Sequence, residues 1–180
     1  KSKSNCGVER MSNYDLIVSG GGIAGMTAAL VALKDGVTKV LILERQKNIG
    51  GTINQCIHNG FGKKLLGAEL TGPEYANIIA KRLLEYPIDI KVNTEVIEIT
   101  TNKKVYYVNS KEGVVEVQAK AIIMATGCRE KHIGSNIPLD KVTGIYTLVS
   151  AHKIINGEGY LPGKESVIVA NNKWAAIVAR

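Results

Sequence analysis

The sequence is poor in aromatic residues and has no hydrophobic run long enough to cross a membrane. It contains one Phe and one Trp, and aromatic residues make up 5% of its 180 residues. Proteins that stack nucleic-acid bases combine such rings with clustered basic side chains. The basic residues here are dispersed, so the net charge of +7 indicates an ordinary solvated surface. The longest apolar stretch, residues 23–33, is too short for a membrane span.

Cysteine is also scarce, and this excludes a disulfide framework. The three cysteines, Cys6, Cys56 and Cys128, are an odd and sparse set, which predicts a reducing, cytoplasmic setting. Residues 1–10 are polar and show no secretory signal. Met11 is a natural start, so we interpret residues 1–10 as a leader, an expression remnant or the tail of an upstream segment. We predict no metal site.

Glycine, by contrast, is concentrated where it carries information. The motif Gly-Gly-Gly-Ile-Ala-Gly at residues 20–25 lies between an apolar run, residues 14–18, and a small-residue helix over residues 26–33. In a strand–GxGxxG–helix unit, Gly20 allows the tight turn, Gly22 lets the backbone approach a diphosphate, and Gly25 lets helix and strand pack closely. The diphosphate would rest on the N–H groups at the helix N-terminus.

An acidic residue strengthens this interpretation. Glu44 ends a second apolar run, residues 39–43, and lies 44 − 25 = 19 residues beyond Gly25. An acid at this position accepts hydrogen bonds from a ribose diol. The alternative, a glycine-rich turn before any buried helix, does not predict an acid at the end of the next strand. The sequence therefore predicts a nucleotide-binding, Rossmann-like α/β domain.

The rest of the chain predicts further elements of an α/β fold. Thr71, Pro73 and Glu74 signal the start of a helix that continues to residue 85. Three β-rich runs separated by turn residues predict an antiparallel meander: residues 92–100, 104–109 and 114–119.

A buried strand is predicted over residues 121–124, directly before Ala125-Thr126-Gly127. Residues 128–165 have loop composition with a weak helical patch over residues 146–155. Residues 166–170 predict a new strand, and residues 174–180 could begin its helix.

This combination resembles the FAD-binding domain of the two-dinucleotide-binding flavoproteins, the pyridine nucleotide–disulfide oxidoreductase superfamily. The resemblance covers residues 13–163. The segments at residues 50–62, 70–75, 125–130 and 157–164 are similar to one branch of FAD/NAD-utilising dehydrogenases. That branch is itself similar to the α-subunit of heterotetrameric sarcosine oxidase and to amine or imino-acid dehydrogenase subunits. The resemblance implies a parallel sheet with helices plus an antiparallel β-meander. We divide the chain into four parts: a leader or expression remnant at 1–10, the FAD-binding domain at 11–130, a connecting segment at 131–165, and the truncated or degenerate start of a second nucleotide-binding domain at 166–180.

The resemblance also implies roles in binding FAD. The diphosphate would be surrounded by the glycine motif, Glu44 would hold the adenosine ribose, and Arg45 would flank the adenine. Gly51 and Thr52 would lie alongside the diphosphate and ribityl chain, and Val96 would contact the adenine through its backbone. The implied cofactor-binding residues are Gly20, Gly22, Ile23, Ala24, Gly25, Glu44, Arg45, Gly51, Thr52, Val96, Ala125, Thr126 and Gly127.

Two departures from the family pattern limit its chemistry. Glutathione-reductase-like members place Cys-x4-Cys after Gly-Gly-Thr, but those positions here are Ile53 and His58. Thiol exchange needs an attacking and a resolving thiol, so Cys56 alone argues against disulfide-reductase chemistry. We interpret Cys56 and Cys128 as small buried residues. His58 is a structural histidine or a proton carrier near the flavin, and we assign no catalytic base.

The second departure is at the C-terminal end. Relatives continue from Pro-Gly-Lys into a second GxGxxG, whereas Ala170, Asn172 and Ala175 stand at its glycine positions here. We therefore predict that NAD(P) binds only with a partner chain or the missing domain. A partner redox subunit and a homo-oligomer are both compatible with the sequence, whereas nucleic acid and a membrane span are not predicted.

The predicted function is an FAD-dependent oxidoreductase domain or subunit that transfers hydride through flavin, on an amine or imino-acid type of substrate. Two alternatives stay open. One is a non-catalytic subunit that binds NAD or ATP and serves assembly, and the other is a structural relic that binds no nucleotide.

Overall fold

A computed structural model describes residues 12–128, 130, 142–169 and 176 of the chain. Its elements, in chain order, are β1 (Ser12–Ser19), α1 (Ile23–Lys34), β2 (Val40–Leu43), a 3₁₀ turn (Gly51–Gln55), β3 (Asn59–Phe61), α2 (Lys63–Leu66), β4 (Leu70–Thr71), α3 (Gly72–Leu84), β5 (Asp89–Lys91), β6 (Glu95–Ile99), β7 (Lys104–Asn109), β8 (Gly113–Met124), α4 (Leu148–His152) and a π turn (Lys153–Gly157).

The chain divides into two compact units at three points, one of which falls inside α3. The first unit comprises Lys1–Gly51 and Ile79–Thr126, and the second comprises Thr52–Ile78 and Gly127–Arg180. The domain boundaries predicted from the sequence stay predictions.

The first unit is built on a six-stranded mixed sheet with the order β5-β2-β1-β8-β7-β6. Strands β5, β2, β1 and β8 run parallel to one another, and β8, β7 and β6 form the antiparallel meander. Helix α1 connects β1 to β2, as in a βαβ unit. The predicted Rossmann-like fold, a parallel sheet with helices and a meander, is confirmed.

Apolar runs in the two central strands explain where the core lies. All four residues of β2 and residues 16–18 of β1 are buried, as expected for parallel strands covered on both faces. Helix α1 buries one stripe of its surface, formed by Gly25, Met26, Ala29, Leu30 and Leu33.

Two predictions about strands are corrected by the sheet. Residues 121–124 are not a separate buried strand: they continue β8, and Met124 is 70% exposed. The reason is that β8 pairs with β7 through residues 113–118 and with β1 through residues 117–124, so one strand serves both parts of the sheet. Strand β5, which the sequence did not predict, pairs in parallel with β2.

The predicted start of α3 is confirmed as a capping box. The Thr71 backbone N–H donates to Glu74 Oε2 at 2.8 Å, and the Thr71 hydroxyl lies 2.7 Å from the same oxygen. The Glu74 N–H donates back to Thr71 Oγ1 at 3.5 Å. This reciprocal arrangement satisfies N–H groups that a helix start leaves free, and it lowers the pKa of the Glu74 carboxyl.

The predicted helical patch over residues 146–155 is present as α4 and the π turn. A strand over residues 166–170 was wrong for the described part, because residues 166–169 form no strand and Val167 is 92% exposed. No strand among the described residues pairs with this run, and a β-branched run without such pairing is not a strand. Residues 1–10, Met11 and the segment 170–180 except Ala176 lie outside the described residues, and so do Asn172 and Trp174.

Candidate functional site

The glycine motif forms the connection between β1 and α1. Gly20 has a φ of +107°, and a Cβ there would collide with the Ala125 carbonyl oxygen. A Cβ on Gly25 would collide with the Gly20 carbonyl oxygen and lie 3.1 Å from Val18 Cγ1. These positions require glycine for the tight turn and for close helix–strand packing, as the sequence predicted.

Gly22 differs from Gly20 and Gly25 because its surroundings are open. It has an ordinary extended backbone, and the nearest atom to a Cβ there would be Gly51 Cα at 3.9 Å. Gly22 is the N-cap of α1 and supplies no side-chain hydrogen bond, and the first turn of the helix contains no acidic residue. The N–H groups of the first turn thus face no carboxylate of their own helix.

Glu44 lies at the carboxyl end of β2 and is 6% exposed. Its Oε2 accepts a hydrogen bond from the Gly21 N–H at 2.7 Å, and its Oε1 accepts one from the Gln46 N–H at 2.8 Å. Each carboxylate oxygen has two lone pairs, so each retains acceptor capacity. The side chain therefore fastens the glycine motif to β2 while keeping sites for a further donor.

A second glycine pair meets the motif. The Gly50 N–H donates to the Gly21 carbonyl at 2.7 Å, and Gly50 forms a parallel bridge with Gly22. Gly51 has a φ of +65°, and a Cβ there would lie 3.0 Å from Gly22 Cα. The close approach of the two segments therefore requires glycine at position 51, whereas position 22 has room for a Cβ.

The remaining predicted residues of the first unit surround the same end of the sheet. The Ala125 N–H donates to the Ser19 carbonyl at 2.8 Å, which brings Ala125 and Thr126 next to the glycine motif. The N–H groups of Asn93 and Thr94 donate to the carbonyls of Gln46 and Glu44. These bonds hold the start of β6, and with it the half-buried Val96, near the exposed Arg45.

Other predicted residues belong to the second unit. Thr52 is exposed in the 3₁₀ turn, and Gly127 has a φ of +73°. Cys56 is half-buried, and burial raises the pKa of its thiol, so it is a poor thiolate at neutral pH. Cys128 was expected to be buried but is exposed, because it follows Gly127 beyond the end of β8. His58 bonds through Nδ1 to the Asn59 carbonyl at 2.9 Å.

These observations fit a dinucleotide. The open face of Gly22, the first turn of α1 and the residual acceptor capacity of Glu44 are the features that a diphosphate and a ribose diol need. Glycine at positions 50 and 51 could be recognised in the sequence, but the hydrogen bond between Glu44 and Gly21 could not, because no local pattern signals it. The contacts of all these residues with a cofactor stay predictions.

Comparison with known proteins identifies the family. Residues 14–169 match the model of the pyridine nucleotide-disulphide oxidoreductases. The match covers most of the chain, which therefore belongs to this family. Its members are flavin-dependent oxidoreductases, so the predicted family, enzyme class and FAD cofactor are confirmed at this level.

The chain matches only part of the length of each individual relative. The chain is 32% identical to a ferredoxin–NADP reductase of Leuconostoc citreum over 63% of this chain and 33% of that protein. It is 27% identical to hydrogen cyanide synthase subunit HcnB of Pseudomonas protegens over 71% of this chain and 28% of that one. The chain thus spans about a third of these relatives.

A solved structure shows the same fold. The structure of L-proline dehydrogenase from P. horikoshii matches with a TM-score of 0.67 and 20% identity, over 87% of this chain and 31% of that one. No helix in the described part of the chain is long and apolar enough to cross a membrane. The cytoplasmic location stays a prediction.

Proposed function

We propose that this chain is the FAD-binding part of an oxidoreductase that transfers hydride through the flavin. The observation that carries the proposal is the open space beside Gly22, where the nearest atom to a Cβ would be Gly51 Cα at 3.9 Å. This space lies at the start of α1, next to the buried carboxylate of Glu44. The bound flavin would supply the redox chemistry, and the protein would supply binding and orientation.

The residues of the first unit would then divide the work of binding. Gly20, Gly22, Ile23, Ala24 and Gly25 would present backbone N–H groups and close contacts to the diphosphate. Glu44 would accept hydrogen bonds from the ribose diol with the lone pairs that Gly21 and Gln46 leave free.

The other proposed contacts concern the adenine, the diphosphate and the covering loop. Arg45 and the Val96 backbone would flank the adenine, and Gly51 and Thr52 would follow the diphosphate. Ala125, Thr126 and Gly127 would cover the cofactor.

The substrate and partner are finer parts of the proposal. We favour an amine or imino-acid substrate, because several sequence segments resemble that branch of the family, and the fold of an L-proline dehydrogenase is compatible with it. A partner redox subunit is supported by a relative that is itself named as a subunit. Exchange of hydride with a nicotinamide would require such a partner or a further domain.

The test is to identify the nucleotide that the protein carries. Purified protein should be yellow, and the small molecule released on denaturation should have the mass of FAD. Calorimetric titration of the apoprotein should show binding of FAD with an affinity far above that for NAD or ATP. Preferential binding of NAD or ATP would favour the non-catalytic subunit, and no bound nucleotide would favour the relic; either result would reject the proposal.

A further inference from the structure

Two buried acceptor atoms in the second unit have no hydrogen-bond partner. They are Gln55 Oε1 and His58 Nε2, and they are carried by one four-residue segment. A buried acceptor without a partner costs about 1–3 kcal/mol, and proteins satisfy nearly all such groups. Two of them on one segment point to a donor outside the part of the chain that the structure describes.

The hydrogen bond on the other side of the His58 ring fixes what Nε2 can do. Nδ1 lies 2.9 Å from the Asn59 carbonyl oxygen, and a carbonyl can only accept, so Nδ1 carries a proton. In the neutral ring Nε2 is then an acceptor. The ring also lies 5.3 Å from the Phe61 ring, centroid to centroid, and this contact restricts its orientation.

The backbone of the segment is held from two sides. The Asn156 side-chain amide donates to the Gln55 carbonyl at 2.9 Å, and the Gly72 N–H donates to the Cys56 carbonyl at 2.8 Å. A Cβ on Gly72 would lie 2.7 Å from that carbonyl oxygen and closer still to the one of Ile53. A preformed segment loses little conformational freedom when a ligand binds.

Two titratable side chains near the segment carry no charge at neutral pH. His152, the last residue of α4, has a pKa lowered chiefly by burial. Its imidazole is therefore neutral at neutral pH and does not repel a positive ligand. Cys56, whose pKa burial raises, is likewise uncharged.

We propose that Gln55 Oε1 and His58 Nε2 together bind a primary ammonium group. A hydroxyl has a single hydrogen and can satisfy one of these acceptors, whereas an ammonium has three N–H donors and can satisfy both. Its hydrogen bonds are also charge-assisted and stronger than neutral ones. The inference goes beyond the proposed flavin function and does not depend on it, although it agrees with an amine as substrate.

The experiment is an NMR titration of the full chain with its histidine rings labelled with ¹⁵N. Methylammonium chloride is the probe at neutral pH, and tetramethylammonium chloride, which has the same charge and no N–H, is the matched control. We expect a saturable shift of His58 Nε2 with methylammonium and none with tetramethylammonium. An equal response to both salts, or no saturable shift, would overturn the inference.

Variants test the two acceptors separately. Gln55→Leu should weaken methylammonium binding about tenfold or more, since one charge-assisted hydrogen bond is lost. Gln118→Leu, a change of the same type on β8, should leave it unchanged. Unchanged affinity in a folded Gln55→Leu variant would exclude the site even if a His58→Phe variant failed to fold. Protein that binds FAD but not methylammonium would reject this inference alone.

Discussion

Replacing Glu44 by Gln should weaken both the glycine motif and the binding of FAD. The carboxylate accepts two backbone hydrogen bonds, from Gly21 and from Gln46. A glutamine amide has only one oxygen, so one of these N–H groups would face an NH₂ donor. The variant therefore loses one charge-assisted bond and leaves a buried N–H without an acceptor.

The size of the effect follows from these contacts. A hydrogen bond to a charged group contributes about 1.5–3 kcal/mol, and Glu44 is 6% exposed, so solvent cannot replace the lost partner. We expect the free energy of unfolding of the apoprotein to fall by about 1.5–3 kcal/mol. The affinity for FAD should fall about tenfold or more as well, because both the diphosphate loop and the ribose contact change.

Two measurements separate the effect of the substitution on the stability of the glycine loop from its effect on binding of the FAD ribose. Urea unfolding of the apoprotein reports the loop, with Glu98→Gln, an exposed position on β6, as the matched control. Titration with FAD and with an analogue lacking the adenosine 2′,3′-diol reports the ribose. Loss of the diol should cost the wild type more affinity than it costs the variant. Unfolding and FAD affinity both equal to those of the wild type would refute the reasoning for Glu44.

Three further changes test the neighbouring features. Gly22→Ala should fold normally, because the new Cβ would meet only Gly51 Cα at 3.9 Å, but calorimetry should show that it binds FAD about tenfold more weakly. Gly25→Ala should instead destabilise the fold. Equal stability and equal FAD affinity of the two variants would contradict the different roles assigned to the two glycines. Cys56→Ser should retain dithiothreitol-insensitive turnover of the assembled enzyme, and loss of the reductive half-reaction with FAD still bound would make Cys56 a redox or covalent-flavin residue. Asp15→Asn should be less stable than wild type at neutral pH, because hydrogen bonds from Lys120, Lys39 and Thr38 lower the Asp15 pKa to about 2. In chemical unfolding, the stability difference between the two proteins should be full above pH about 4 and should shrink as the pH falls towards 2. A stability difference that does not change with pH would exclude the ion pair as its cause.

The chain alone should not bind NADH. Residues 170–175 contain no glycine at the three positions of a second GxGxxG, and a side chain at Asn172 would stand where a diphosphate must approach. Fluorescence of Trp174 should therefore show no saturable quenching by NADH at micromolar concentration. Quenching that NAD competes with and FAD does not would overturn this prediction.

The elements that the sequence predicted well are those whose signals are local. Strand β1, the glycine turn and α1 are consecutive in the chain, and Thr71 and Glu74 form a capping box within four residues. Strand β5 was missed because its three residues follow Pro87 and are defined only by pairing with β2, from Leu41 with Asp89 to Leu43 with Lys91. Such pairing joins residues nearly fifty positions apart, and no window of sequence contains it.

The same distinction applies within the candidate site. Three glycines of one motif are indistinguishable as letters, yet Gly20 and Gly25 are fixed by backbone atoms that a Cβ would strike, while Gly22 faces open space. A glycine that packing requires says little about ligands, because any closely packed turn needs it. A glycine with room for a side chain has another cause, and at the N-terminus of α1, beside Gly51 and Glu44, close approach of a diphosphate supplies it. Gly22 therefore carries more weight in assigning the nucleotide site than the two glycines that complete the motif.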